Sequence, residues 1–362
     1  MYFKRNIQKI FLLFLLSFVI LVLHPKQDDT PKVQAQAQTE PTLSMKKIFE
    51  ERNQHLNQQC RQVGKSNQFP KTLFVLKERA LAWCPVPKSG TSTWITYLME
   101  LSSKSTSEKT MLYQHNKPVG FGLAGKIAPE LSRKSWNKWL TSLELTHQKP
   151  VKFIVVRNPF DRLVSAFRDR IERECSQEIW GGYSFKKKSK EIVRKYRPKF
   201  ISEFGPDALS KAKNYGAIIP VSKTCIRKAE MPTFWEFAQW LINDWRNTYA
   251  DLHIVPIVDW CAICSMDYDY IIKQENFDLE SIEFLRQTDL LQYISNQSIL
   301  ESKHKIQINR PEDLTSRDIT IKYMSVLSNE DILALYKAYE LDFKLFDYTF
   351  SIGNLTVPLE NK

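Results

Sequence analysis

From about residue 71 onward the apolar positions fall into short runs and helical stripes that follow one another along the chain. Leu73–Leu76 and Leu81–Cys84 are apolar runs of strand length. Val151–Val156, apolar and largely β-branched, has the character of a strand buried in a parallel sheet. Ile95–Leu101 repeats its apolar residues at helical spacing, and Leu163, Val164, Phe167 and Ile171 give a second helix its buried face. Trp136–Leu145 and residues 278–293 read as further helices. Thr233 with Glu236 three residues on forms a capping box that opens a helix ending near Asp244, and Ser328 caps a last amphipathic helix from Asn329 to about Phe343. Tyr268–Glu275 contains another strand-like stretch. Residues 45–70 read as a polar helix and loop leading in, Ser102–Glu108 as a loop, and Tyr348–Pro358 as a short tail. Strand, loop and helix occur twice in this order, so the expected class is α/β: a P-loop-like parallel sheet flanked by helices.

The N-terminal pattern is different. Ile10–Leu23 is apolar at all 14 positions except Ser17. As a helix it measures about 21 Å, against roughly 27 Å for a thin early-secretory bilayer. Lys9 can snorkel and lengthen the span. Lys4, Arg5 and Lys9 precede the run, which directs the N-terminus to the cytosol and the remainder to the lumen. A cleaved signal peptide fits less well, because the Ala35-Gln36-Ala37 pattern lies too far beyond the apolar run. The expected organisation is a cytoplasmic tail at 1–9, a signal-anchor helix at 10–24, a Gln-, Thr- and Pro-rich stalk and lead-in at 25–70, and a lumenal domain at 71–362.

Composition sharpens this picture. Lys and Arg number 52 against 40 Asp and Glu, a formal charge of +12, which points to polyanionic partners. The run Lys186–Lys199 carries eight basic residues against Glu191 alone, and reads either as a solvated face or as a guide for an acidic polymer. A nuclear address or nucleic-acid partner conflicts with the anchor. All six cysteines lie beyond the anchor, so disulfides are expected in preference to a zinc site at Cys261-Ala-Ile-Cys264; six cysteines leave 15 connectivities open. Sequons at Asn296 and Asn354 are candidate N-glycan sites.

The chemistry concentrates in the two loops. Cys84-Pro-Val-Pro-Lys-Ser-Gly-Thr-Ser-Thr-Trp94 joins an apolar run to a helix. Loop N–H groups, the unsatisfied N–H groups of a helix start and the helix dipole all favour an anion there. Lys88 adds a charge, and Ser89, Thr91, Ser92 and Thr93 add hydroxyl donors beside Gly90. The second loop, Arg157-Asn-Pro-Phe-Asp161, follows Val156, with Asn158 or Asp161 as cap and Ser165 on the first turns of its helix. Two such loops on neighbouring strands can grip two anionic groups of one ligand. The order of Lys88 and Gly90 differs from a nucleoside-triphosphate loop, and Arg157 stands where a metal-binding acid would end the strand, which disfavours a kinase.

Pro87-Lys88-Ser89-Gly90-Thr91-Ser92-Thr93-Trp94 resembles the 5′-phosphosulfate loop of sulfotransferases, and Arg157-Asn158-Pro159 through Ser165 resembles their 3′-phosphate loop. The surrounding details resemble the Golgi carbohydrate sulfotransferases that act on chondroitin, dermatan and related glycans: His253-x-x-Pro256, Cys261-x-x-Cys264, Lys273-x-Glu275 and Tyr339–Tyr348. The likeness covers roughly residues 80–350. It departs from the family at Ser89, Thr91 and Thr93, where hydroxyls replace Val, Cys and Asn of the common first loop.

The resemblance implies a sulfotransferase fold behind a transmembrane helix, a type II Golgi location, and 3′-phosphoadenosine 5′-phosphosulfate as donor with no metal required. It implies an acidic glycan as acceptor, 4-O of N-acetylgalactosamine in chondroitin or dermatan first. Pro87–Trp94, Arg157 and Ser165 would bind the donor, and Lys88 would neutralise the leaving phosphate. His115 and His253 are the candidate bases for the acceptor hydroxyl. The rival expectations are a sulfotransferase for another glycan and an anchored acidic-glycan binder without transferase activity.

Overall fold

The computed structural model describes residues 39–64, 67–115, 120–145, 147–172, 183–208, 231–244, 251–295 and 314–358. The chain divides into two compact units, Met1–Leu43 and Ser44–Lys362, and the second holds the sheet and the site. The apolar run at 10–24, Cys175, Cys225 and the sequon at Asn296 lie outside the described residues. Among the described residues no helix is long and apolar enough to cross a membrane.

The main sheet has the order β1 (Phe74–Leu76), β2 (Leu81–Cys84), β3 (Val151–Val156), β4 (Tyr270–Lys273). β1 runs antiparallel to β2, whereas β2, β3 and β4 are parallel. The register sets Trp83 beside Phe153, Cys84 beside Ile154 and Val156 beside Lys273. Helices follow in the order α1 (Thr39–Val63), α2 (Thr91–Leu101), α3 (Thr106–His115), α4 (Phe121–Ile127), α5 (Arg133–Glu144), α6 (Pro159–Phe167), α7 (Tyr183–Phe204), α8 (Phe234–Asn243), α9 (Phe277–Gln287), α10 (Ser316–Met324) and α11 (Asn329–Leu345).

Strand side chains alternate between two apolar layers, so both sheet faces are covered. Trp83, Phe153, Val155 and Ile272 pack with Trp94 of α2, Phe284 of α9 and Phe49 of α1. Cys84, Ile154, Val156 and Ile271 pack with Phe160 and Phe167 of α6 and with residues of α7, α8, α10 and α11. The Trp94 and Phe153 rings lie 4.4 Å apart, so the first loop's helix is pinned to the central strand by aromatic contact.

Several elements differ from the sequence reading. Part of the loop expected at 102–108 is helical, because the Glu108 carboxylate accepts from Ser105 N–H (2.8 Å) and Oγ (2.7 Å) and so fixes the start of α3. The C-terminal tail is a hairpin of β5 (Phe350–Ile352) and β6 (Leu355–Val357). The helix leading in is bound into the body. Arg52 of α1 donates to the buried Glu280 carboxylate at 2.6 and 2.8 Å and to Ile271 O at 2.9 Å. Asn158, rather than Asp161, caps α6, and the capping boxes at Thr233 and Ser328 are formed.

The cysteine pair is split between two partners: Cys60–Cys264 ties α1 to the segment before β4, and Cys84–Cys261 ties that segment to the end of β2. The sequence separations are 204 and 177, so each bridge removes a large loop's freedom from the unfolded chain. Replacing Cys60 and Cys264 together by serine is expected to cost roughly 2–4 kcal/mol, measured as a lower urea midpoint with a steeper slope, because the unfolded chain without the bridge exposes more surface.

Candidate active site

Both loops leave the carboxyl ends of adjacent parallel strands, β2 and β3, and therefore open on the same edge of the sheet. The first loop has two prolines and one glycine, and its shape is held from outside. Trp260 Nε1 donates to Pro85 O at 3.0 Å, Arg162 Nε to Pro87 O at 3.1 Å, and Arg157 Nη1 to Lys88 O at 2.9 Å. Val86 O accepts from Ser89 N at 3.2 Å and from Thr91 Oγ1 at 2.7 Å. Four successive carbonyls are thus turned to protein donors, which suits a loop that must present N–H groups to an anion.

Lys88 and Gly90 both have left-handed φ, 71° and 76°. That conformation is costly for a lysine, and it is held by the Arg157 bond. At Gly90, the N-cap of α2, an added Cβ would run into the Phe277 ring.

The hydroxyls divide by role. Thr91 donates within the loop, and Thr93 is buried at 7% exposure. Ser92 is exposed on the first turn of α2. Ser89 is 1% exposed and its Oγ has no hydrogen-bond partner, an orphan that an anion oxygen would satisfy. Trp94 lies wholly in the core, so its role is to seat α2.

In the second loop, Asn158 Oδ1 accepts from Phe160 N and Asp161 N, while Asn158 N donates to Glu275 Oε1 at 2.8 Å. Tyr348 OH donates to the other oxygen of Glu275 at 2.9 Å. Ser165 is part-exposed on the second turn of α6. Arg157 at the exit of β3 reaches across to Lys88 O, so the two loops are joined directly.

Arg162 was not singled out by sequence, yet it organises the site. It is 1% exposed and donates to Pro87 O, to Val255 O at 2.7 Å and to Leu252 O at 3.1 Å. Burial lowers its pKa, and the nearby Asp342 charge opposes that shift. The sequence signs are its place inside the Arg157–Ser165 stretch and an arginine among the apolar residues of a short helix, which an exposed helix face shows as well.

Through Arg162 the segment carrying His253 is held against the first loop. His253 Nδ1 and N–H both engage Asp251 Oδ1, the N–H at 2.8 Å, and Arg170 Nη2 reaches Oδ2 at 3.4 Å. Burial raises the Asp251 pKa, but the His253 bonds and the Arg170 charge outweigh it and hold the carboxyl below its usual range. With Nδ1 donating to this carboxylate, Nε2 is the ring nitrogen that can accept a proton. His115 ends α3, and its side chain lies outside the described residues. Arg157 and Lys88 are in direct contact, and the His253 segment is joined to the same loop through Arg162.

Asp342 braces the same segment from beneath, accepting from Ile257 N at 2.7 Å and Val258 N at 2.9 Å. Tyr339 OH donates to Ile254 O at 2.7 Å. Burial pushes the Asp342 carboxyl up to about 6, against the pull of those N–H bonds and Arg162.

The basic run sits on α7 and is less available than its composition suggests. Arg197 pairs with the buried Glu236, and Lys195 pairs with Asp244 at 2.7 Å. Lys188 pairs with Glu191 within the helix. Ile192, Tyr196 and Phe200 of the same helix are core residues. Lys190, Arg194 and Lys199 are exposed.

A family model described as the sulfotransferase family matches residues 71–349. The chain is 28% identical over 285 residues to carbohydrate sulfotransferase 8 of Mus musculus, an overlap of 78% of this chain and 58% of the relative. It is 25% identical over 336 residues to carbohydrate sulfotransferase 9 of Homo sapiens, with 90% and 64% covered. It is 24% identical over 287 residues to carbohydrate sulfotransferase 10 of Xenopus laevis, with 76% and 67% covered. The chain thus spans less than two thirds of the first two relatives named. No solved structure matches.

Two measurements check this geometry. Gly90→Ala is expected to destabilise the fold by about 2 kcal/mol or more, from the left-handed φ and the Phe277 contact, seen as a lower thermal midpoint. Asp342 titrates near 6 when folded and near 3.9 unfolded. Its raised pKa gives stability that is full below about pH 4 and lost as pH rises through about 6. Between pH 4 and 7 the parent chain should lose up to about 3 kcal/mol relative to Asp342→Asn, measured by paired chemical denaturation series.

Proposed function

Because the chain belongs to the sulfotransferase family, we propose that it moves a sulfuryl group from 3′-phosphoadenosine 5′-phosphosulfate to a hydroxyl of a glycan. The observation that carries this is the pair of anion loops on adjacent parallel strands, joined by the Arg157–Lys88 bond. The donor has a phosphosulfate at one end and a phosphate at the other, and two such loops match that separation of charge. The orphaned Ser89 hydroxyl and the inward-turned loop carbonyls also fit an anionic guest.

When bound, the donor supplies an activated sulfuryl group on its 5′-phosphate. Lys88, Ser89 and the N–H groups from Gly90 to Thr93 would hold that end. Arg157 and Ser165 would hold the 3′-phosphate and so distinguish this nucleotide from others. The demand on the protein is alignment and neutralisation of charge that spreads as the bond breaks. Lys88 carries the neutralising charge for the leaving oxygen. His253 Nε2, oriented through Nδ1 by Asp251, would take the acceptor's proton. His115 remains the alternative base.

The acceptor in this proposal is the 4-O hydroxyl of N-acetylgalactosamine in a chondroitin- or dermatan-type chain, supported by the sequence likeness. A type II anchor at 10–24 and a Golgi lumenal site belong to the same proposal, as do N-glycans at Asn296 and Asn354. Asn354 is exposed in the turn between β5 and β6, which agrees with such a modification.

The decisive experiment is transfer of labelled sulfate from the donor to a panel of desulfated glycans, with disaccharide analysis of products. Lys88→Ala should abolish transfer while leaving retention on heparin-like resin nearly intact. A parent chain that is retained on the resin but transfers no sulfate to any glycan would instead support a binder without transferase activity. His253→Asn should lower kcat on the order of 10²–10⁴-fold with little change in donor KM; an unchanged kcat would remove His253 as base.

A further inference from the structure

Lys88 is gripped at both ends by the second strand–loop–helix unit. Its carbonyl accepts from Arg157, and its ammonium lies 3.1 Å from Asp169 Oδ2. Asp169 belongs to the wide turn Arg168–Glu172 that continues α6. The Lys88 and Asp169 side chains are 21% and 27% exposed, so water screens the pair only in part. The next residue, Arg170, ties the same turn to Asp251, the carboxylate that orients His253. The ammonium best placed to neutralise a phosphosulfate is therefore already matched by a carboxylate on an anchored turn.

We propose that Asp169 is a positioning residue that competes with the donor's phosphosulfate for the Lys88 ammonium. This rests on the donor reading given above. The physical reason is charge. A dianionic group on Lys88 would face the Asp169 carboxylate at close range, and like charges at that distance repel. Nucleotide binding must displace Asp169 from Lys88, and product release returns it. The pair holds the lysine chain in place and keeps the spent nucleotide from being bound too tightly, at the cost of weaker donor binding. No bond is made or broken by Asp169. Its effect reaches the reaction through the position and charge balance of Lys88.

The test uses the full chain in detergent, with adenosine 3′,5′-bisphosphate as the probe. Asp169→Asn should bind this nucleotide roughly three- to tenfold more tightly. Donor KM should fall by a similar factor, and inhibition by the bisphosphate should deepen. Asp169→Glu, which keeps the charge, should stay within about twofold of the parent. In a Lys88→Ala background, Asp169→Asn should give a smaller gain than in the parent, because the competition for the ammonium is gone and only the direct repulsion between carboxylate and phosphate is left. Equal or weaker binding by Asp169→Asn would overturn the proposal, and so would an undiminished gain in the Lys88→Ala background. A parent chain that binds no bisphosphate nucleotide at all would sink the donor reading together with this inference. Binding by the parent with no change in Asp169→Asn would sink this inference alone.

Discussion

A guanidinium buried at 1% exposure holds this site together. Arg162 donates to one carbonyl of the first loop and to two carbonyls of the His253 segment, partners 75 to 93 residues away in sequence. Removing a charge from water is expensive unless strong acceptors surround it. Here the acceptors are three backbone carbonyls, Pro87 O in the first loop and Leu252 O and Val255 O in the His253 segment. One side chain thus serves two ends: it satisfies itself, and it joins that segment to the loop. The surrounding contacts reinforce the same join. Cys84–Cys261, Trp260 on Pro85 O, Tyr339 on Ile254 O and Asp342 on two N–H groups all brace the segment between residues 251 and 264. That segment contains two short helical turns, Ile257–Cys261 and Ile263–Met266, and takes its position from these external ties.

These ties give a loop with one glycine a fixed shape, where a glycine-rich loop relies on freedom of its backbone. In a glycine-rich phosphate loop the backbone bends freely around the anion. In this chain Pro85 and Pro87 stiffen the approach, and Lys88 takes a left-handed conformation that its side chain does not favour. The cost is met by fixed partners on every carbonyl from Pro85 to Lys88. A pre-shaped loop needs less reorganisation when an anion arrives, which is where preorganised electrostatics has its value.

The parallel strands, the two strand–loop–helix units and the capped helices are legible in the sequence, because each rests on local signals: β-branched runs, helical spacing and capping residues. What was not legible depends on distant partners. The burial of Arg162 follows from carbonyls 75 residues upstream and 90 downstream. The pairing of Cys261 and Cys264 with different elements depends on where α1 docks, and local spacing carries no trace of it. The basic run reads from sequence as a solvated face or a guide for an acidic polymer, because charge dominates its composition. Yet Arg197 finds the buried Glu236, and Tyr196 and Phe200 lie in the core. A helix with a stripe of three apolar residues hidden among lysines is hard to tell from a solvated one until its neighbour, α8, is known.

The three hydroxyl residues that set this first loop apart from the common pattern do not form one class. Thr91 replaces a possible ligand contact with an internal bond to Val86 O, so it acts on loop shape. Thr93 is buried at 7% exposure, where it faces the start of the core. Ser89 alone is both buried and without a partner. A buried hydroxyl that gains no protein hydrogen bond lowers stability, commonly by about 1–3 kcal/mol, so its presence in the loop is costly to the fold unless something else uses it. Under the donor reading, that local loss of stability sits where an anion oxygen would offset it. Charge follows the same logic. A chain with formal charge +12 nevertheless matches Lys88 with Asp169 and Arg170 with Asp251 at its centre. Lys88 itself carries Arg157 on its carbonyl and Asp169 on its ammonium, so cationic and anionic partners are both built in around it.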